Sequence, residues 1–203
     1  MKRSRALFIF LLVLIVTCSI ALFTFHTYSS LSTKQVFEPA GWRLYFSPNG
    51  GSTQAIVKSL NEAKASVLVQ AYSFTSDRIA EALVNAHHRG LTVEVILDRS
   101  QVRVKRGQVN YLIDSGISVY IDAAHAIAHN KVIVIDDATV ITGSFNFTVA
   151  AELYNAENLL IIQDKDLAAQ YTANWNKHRE HSKPYDEWKI EDATKLHRRK
   201  LAA

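Results

Sequence analysis

Hydrophobic and polar positions divide this chain into three stretches. The first, Ala6 to Phe25, runs for 20 residues without a charged side chain. The second, from Trp42 to about His181, switches between a period of two and a period of 3.6, the signatures of strands and amphipathic helices. The third, beyond Pro184, is polar and basic. Within the middle stretch, Trp42 to Phe46 predicts a short strand and Pro48-Asn49-Gly50-Gly51 a turn. Ser52 opens a helix whose Ile56, Leu60 and Ala63 share a face, and Ser66 to Tyr72 is a buried strand. Asp77 is placed to cap a second helix, with Ile79, Ala82, Leu83 and Ala86 inward and Gly90 at its end. Leu91 to Leu97 alternates as a third strand, and Arg99 to Gly107 reads as a basic loop. Val109 to Ser115 is a helix stopped by Gly116, followed by a strand at Ile117 to Ile121. Lys131 to Ile135 and Thr139 to Thr142 form a strand pair joined at Asp136-Asp137. Leu159 to Ile162 is a further strand, and Leu167 to His181 a helix.

Strands alternating with helices predict an α/β fold, a mixed β-sheet flanked by helices and preceded by an N-terminal apolar helix. The expected boundaries are 1–27 for an anchor or signal segment, 28–41 for a Ser/Thr-rich linker, 42–182 for the folded domain and 183–203 for a loosely attached tail. No internal repeat is visible.

Charge changes the reading of the N-terminus. Lys2, Arg3 and Arg5 precede the apolar run, which is long enough for a membrane-crossing helix and longer than the core of most signal peptides. Both an uncleaved anchor and a cleaved signal place the domain outside the cytoplasm, periplasmic or tethered to the membrane by the apolar helix. The formal charge of +4 owes three units to those residues, so from Lys34 onward the balance is only +1. Nucleic-acid binding therefore has to be argued from local clusters. The single cysteine, Cys18, lies inside the apolar run and excludes an internal disulfide framework or a Cys-rich zinc site.

The chemistry concentrates in 18 residues. His129 and Lys131, two apart on a strand, project to the same side. Asp136 follows at the strand end. Gly143 and Ser144 come after the next strand, with Asn146 two residues further on. An imidazole, an ammonium, a hydroxyl and an amide in one pocket suit a phosphate group: Lys131 supplies charge, Ser144 and Asn146 hydrogen bonds, and His129 a nucleophile or proton carrier. A His-x-Lys pair or a Gly-Ser-x-Asn turn alone would be unremarked; five constrained positions together are not.

This spacing resembles the HxKx4Dx6GSxN signature of the phospholipase D superfamily. Tyr72-Ser73-Phe74, Gly143 to Thr148 and Asn155-Ala156-Glu157-Asn158 look like the superfamily's small bacterial exported endonucleases, a likeness covering Trp42 to Arg179. The resemblance implies a phospholipase D/nuclease-like sandwich and DNA cleavage, with RNA open, that needs no cofactor or metal. With one motif copy where larger members carry two, it also implies a homodimer sharing one site. His129 of one subunit would attack phosphorus while the partner's His129 protonates the leaving oxygen. Lys131, Ser144 and Asn146 would hold the non-bridging oxygens. Glu157 would accept a hydrogen bond from the far nitrogen of His129. Asp136 and Gly143 support the motif, Asp136 through a salt bridge. A phospholipid substrate, of the cardiolipin type, is the rival within the enzyme class; no apolar loop near the motif is evident to seat acyl chains. A non-catalytic nucleic-acid-binding module in DNA transfer is the rival outside it.

Arg99, Arg103, Lys105 and Arg106 form the densest basic loop and are candidate contacts to a phosphate backbone. Lys195, His197, Arg198, Arg199 and Lys200 read as a solvated end or a weak DNA contact. Asp122, His125 and His129 lack the spacing of a metal motif. His87-His88 sits at a helix C-terminus, where cationic side chains favour the dipole.

Overall fold

The structure, a computed structural model, describes residues 41–201. The apolar segment and nearly all of the linker lie outside the described residues. Among those described, no helix is long and apolar enough to cross a membrane.

Eight strands form one mixed sheet in the order β1-β7-β6-β5-β2-β3-β4-β8. They span Trp42–Ser47, Ser66–Ala71, Thr92–Asp98, Ser118–Asp122, Lys131–Ile135, Thr139–Gly143, Glu157–Gln163 and Lys183–Pro184, numbered β1 to β8 in chain order. Only β2, β3 and β4 run parallel to their neighbours in that block; every other pairing is antiparallel. The parallel strands are linked by right-sized helical crossovers, α2 (Asp77–His88) between β2 and β3 and α3 (Val109–Asp114) between β3 and β4. The antiparallel β5–β6 pair needs only the tight Asp136-Asp137 turn, where both residues take positive φ, 54° and 50°.

Alternation along the strands sorts the core into two layers. Val67, Val69, Val95, Ile133, Ile141 and Ile161 pack with α1 (Ser52–Glu62), α2 and α3 in the larger cluster. Val132, Val134 and Val140 face Ala168, Leu167 and Tyr171 of α5 (Lys165–His181) in the smaller one. Trp175 of α5 is buried and donates its indole N–H to Val69 O at 2.9 Å, which ties this helix to the centre of the sheet.

Three local expectations change. Ser76, not Asp77, caps α2: its hydroxyl accepts from Ile79 N at 3.4 Å, while Asp77 accepts from Gln108 Nε2 at 2.6 Å. The basic loop opens as a 3-10 helix, Arg99–Arg103, because Asp98 accepts from Ser100 N and caps it. The segment after Pro184 is helix α6 (Tyr185–Leu201) rather than a loose tail. Tyr185 is buried, Trp188 packs on the larger core cluster, and Lys183 pairs with Glu191. From within α4 (Val149–Leu153), Glu152 reaches back to α1: its two carboxylate oxygens accept from Gly51 N and Thr53 N at 2.9 and 2.7 Å. A carboxylate there satisfies orphan donors and complements the helix dipole.

Candidate active site

Sheet topology brings the motif together. Lys131 at the start of β5 lies opposite Ala71 at the end of β2. Gly143 at the end of β6 lies opposite Leu159, and Glu157 at the start of β7 lies opposite Ser47 at the end of β1. Apart from Asp136, the residues of interest therefore all leave the sheet at one end of its strands, although 28 positions separate His129 from Glu157 in sequence.

His129 is exposed at that end, and its ring lies 4.6 Å from the ring of Tyr72, centroid to centroid. Lys131 is buried; its ammonium donates to His129 O at 2.9 Å and lies 5.2 Å from the centre of the Tyr72 ring. Burial pushes the Lys131 ammonium below its ordinary value, and the Glu157 carboxylate offsets part of that push. The first turn after β2 is laced to the segment after β6. Phe147 N donates to Ser73 O, and Thr75 N and Ser76 N donate to Phe147 O. Tyr72 thus belongs to the site, a residue visible in the sequence only as part of Tyr72-Ser73-Phe74.

Ser144 and Asn146 follow a tight approach of two strands. Ser144 N and Phe145 N both donate to Asn158 O, at 3.1 and 3.3 Å, so two residues of one strand oppose one of the other, as in a bulge. Gly143, at φ 149°, makes this possible: a Cβ there would stand 2.2 Å from Asn158 O. Its contact is with the backbone of the neighbouring strand. Phe145 and Phe147 are fully buried and anchor the segment, while Asn146 Oδ1 is buried without a hydrogen-bond partner.

Glu157 is engaged differently from the expected His129 partnership. Ser144 Oγ donates to Glu157 Oε2 at 2.6 Å, and Asn155 Nδ2 donates to Oε1 at 3.1 Å. Ser144 Oγ in turn accepts from Asn158 N at 3.0 Å. The carboxylate orients Ser144 and balances Lys131; it does not accept from the imidazole.

Asp136 stands at the far end of β5, roughly 16 Å from Lys131 at about 3.3 Å per residue. Its carboxylate accepts from the backbone N–H groups of Lys64, Ala65 and Ser66. Burial would raise its pKa, but those bonds outweigh it and hold the group below the ordinary aspartate value. Within the chain, the expected salt bridge is replaced by these backbone donors. The basic loop is likewise divided. Arg99 donates to Ala126 O at 3.3 Å, and Arg103 pairs with Asp192 of α6 at 2.7 Å. Lys105 and Arg106 are exposed.

Exposed apolar side chains do flank the motif, contrary to expectation: Phe46, whose register partner is Asn158, and Val149, Leu153 and Tyr154 just after the Asn146 segment. A second cluster was not foreseen. Asp122 and His125 meet His178 and His181, not His129. The signal was present in the i, i+3 spacing of His178 and His181 on a helix.

Comparison with known proteins agrees with this geometry. The family model described as cardiolipin synthase, PLD-like domain, matches residues 56–179. A Rickettsia typhi protein named phospholipase D is 48% identical over 130 residues, 64% of each chain. Dog mitochondrial cardiolipin hydrolase is 32% identical over 128 residues, 63% of this chain and 50% of that protein. The match thus spans less than two thirds of these curated relatives. Among solved structures, the phospholipase D family member Nuc from Salmonella typhimurium aligns with a TM-score of 0.69 at 35% identity, covering 73% of this chain and 99% of that one. NucT from Helicobacter pylori aligns with a TM-score of 0.66 at 26% identity, covering 71% and 98%.

Proposed function

The chain belongs to the PLD-like domain family of the phospholipase D superfamily, and from that membership we propose that it is a phosphodiester hydrolase whose substrate is DNA, with RNA a second polynucleotide to test. One observation carries the reading: His129, Lys131, Ser144 and Asn146 gather at one end of the sheet's strands, with the Glu157 carboxylate held by Ser144 and Asn155. The nucleic-acid substrate is supported by the endonuclease-like segments and by a fold that takes in nearly the whole of Nuc and NucT.

The chemistry follows from the groups present. An imidazole nitrogen of His129 attacks phosphorus, the P–O bond to the leaving group breaks, and that oxygen takes a proton from a second acid. The chain supplies one such histidine in the motif, so the second acid is His129 of the partner subunit in a homodimer. Water then attacks the phosphohistidine, losing a proton to the partner's His129 as the P–N bond breaks and the free imidazole returns. The Lys131 ammonium and the Ser144 and Asn146 side chains stabilise the charge on the non-bridging oxygens. Neither step draws on a cofactor or a metal ion. Lys105 and Arg106 would meet the phosphate backbone, with Arg99 and Arg103 shaping the loop. The basic, apolar N-terminus supports an exported location, periplasmic or membrane-tethered.

A second reading, hydrolysis of a phospholipid, is favoured by the exposed Phe46, Val149, Leu153 and Tyr154 beside the motif. The full chain should be incubated with supercoiled plasmid, and separately with cardiolipin-containing vesicles, in the presence of EDTA, alongside His129→Ala. Plasmid nicking that survives EDTA and is lost in the variant supports the nuclease. Vesicle hydrolysis with intact plasmid overturns it in favour of the lipid reading. DNA binding without cleavage of either substrate overturns both and leaves a binding module.

A further inference from the structure

Away from the motif, four side chains of metal-binding type point at one another. Asp122 ends β4, and its side chain is fully buried. His125 lies three residues on in the following loop; His178 and His181 lie one turn apart near the end of α5. The potential ligand atoms of all four lie within 4.8 Å of one another. Asp122 Oδ2 is 2.8 Å from His178 Nδ1, 3.1 Å from His125 Nδ1 and 3.2 Å from His181 Nε2. The three imidazole centroids are 4.9, 5.1 and 5.2 Å apart.

Three imidazoles crowd one carboxylate: His178 Nδ1 and His181 Nε2 lie against Oδ2, while His125 Nδ1 straddles Oδ2 and Oδ1 at 3.1 and 3.2 Å, and Oδ1 also accepts from Ala124 N at 3.1 Å. Tetrahedral zinc with bonds of 2.0–2.1 Å sets its ligand atoms about 3.3–3.4 Å apart. The His125 and His181 separations from Asp122, 3.1 and 3.2 Å, are within a few tenths of an ångström of that, and His178 at 2.8 Å stands about half an ångström closer. Three neutral imidazoles and one carboxylate also form a donor set suited to a borderline divalent ion.

We propose that Asp122, His125, His178 and His181 bind one divalent transition-metal ion of the zinc type in a closed, four-ligand structural site. The site is separate from the proposed reaction centre. Asp122 sits three strands from Lys131 across β5-β2-β3-β4, about 14 Å at roughly 4.8 Å per strand. Its ligands join the end of β4, the C-terminal turn of α5 and the 123–128 loop. That loop runs into His129 and is held elsewhere by Ala128 N donating to Asp98 Oδ2 at 2.8 Å. With all four positions filled by protein, the ion is placed to brace the loop rather than to activate water.

The test uses the untagged full chain, stripped with chelator and dialysed, then titrated with Zn2+ against a competing chelator and, separately, with Co2+. The expected result is one equivalent per chain, with the visible bands of tetrahedral cobalt. At a hundredfold excess of zinc over Kd, the unfolding temperature should rise by roughly 5–10 °C. His125→Ala, a half-exposed loop substitution, should weaken binding by more than the roughly 10–100-fold that loss of an outer-shell partner costs. His178→Ala with His181→Ala should abolish it, with circular dichroism reporting that the fold persists. Absence of a one-equivalent site, octahedral cobalt spectra, or binding unchanged in His125→Ala would each overturn the proposal. None of these readouts depends on phosphodiester cleavage.

Discussion

Replacing Asp136 should cost stability without removing activity, and the structure sets the size of the effect. The carboxylate joins the β5–β6 turn to the start of β2 through three backbone donors: Ala65 N at 2.7 Å and Ser66 N at 3.0 Å to Oδ1, and Lys64 N at 2.9 Å to Oδ2. In Asp136→Asn the remaining carbonyl oxygen keeps the Ala65 and Ser66 bonds, but the amide nitrogen faces the Lys64 donor. One bond and the charge assistance of the others are lost, about 1–2 kcal/mol in this partly solvated setting. Asp136→Ala loses all three and leaves an alanine at φ 54°, where it cannot bond locally, so about 3–4 kcal/mol is expected. Asp136→Gly should recover about 1 kcal/mol of that, since glycine tolerates the turn. The folded carboxyl is held below its ordinary value, so its contribution is fully present above about pH 4 and is lost as pH falls through the lowered value. Urea denaturation at neutral pH and again in acid measures this. The gap between wild type and Asp136→Asn should shrink in acid. Wild-type stability with lost activity in Asp136→Asn would refute the reasoning and move Asp136 into the reaction.

Three other substitutions probe the site. Gly143→Ala drives a Cβ to 2.2 Å from Asn158 O; about 2–4 kcal/mol of stability and more than roughly tenfold in kcat should be lost together, read by urea midpoint and initial rate. Lys131→Met removes a buried ammonium, so stability should hold or rise by up to about 1 kcal/mol while activity falls by roughly 10²–10³; a clear loss of melting temperature would contradict this. Glu157→Gln keeps an acceptor for Ser144 but removes the charge that raises the Lys131 pKa, so the alkaline limb of the pH–rate profile should move to lower pH; a shift to higher pH would contradict the pairing.

The apolar flank has a consequence for substrate choice. Phe46, Val149, Leu153 and Tyr154 stand exposed around the reacting end, so the absence of an acyl-binding surface no longer argues against lipid. The plasmid and vesicle assays decide whether it is used for lipid.

The strand and helix periods placed β1 to β7 and the helices α1, α2, α3 and α5, because those strands carry Val, Ile and Leu for the core, but not the short α4 or the two-residue β8. Boundaries moved by one or two residues, as at β3, where Asp98 joins the strand to accept from Ala128 N. The helix after Pro184 was missed because its polar composition hides the anchoring of Tyr185 and Trp188, which depends on a core built elsewhere. The spacing of His129, Lys131, Ser144 and Asn146 singled out the candidate set, although of the four only Lys131 lies within a strand, so strand order rather than alternation decides where the others stand.

Tertiary structure alone decided what those residues touch. Tyr72 meets His129 because β2 and β5 are antiparallel neighbours, and Glu157 meets Ser144 because β6 and β7 are. Asp136, seven residues before Gly143, turned out to be a strap at the opposite end of a strand. Asp122, His125, His178 and His181 span 59 positions, and only the packing of α5 across the sheet brings them to one point. Local periodicity acts within a few residues, so the chain's sequence determined its elements and its motif. Contacts between distant segments depend on strand order and register, and those are settled only when the whole core closes.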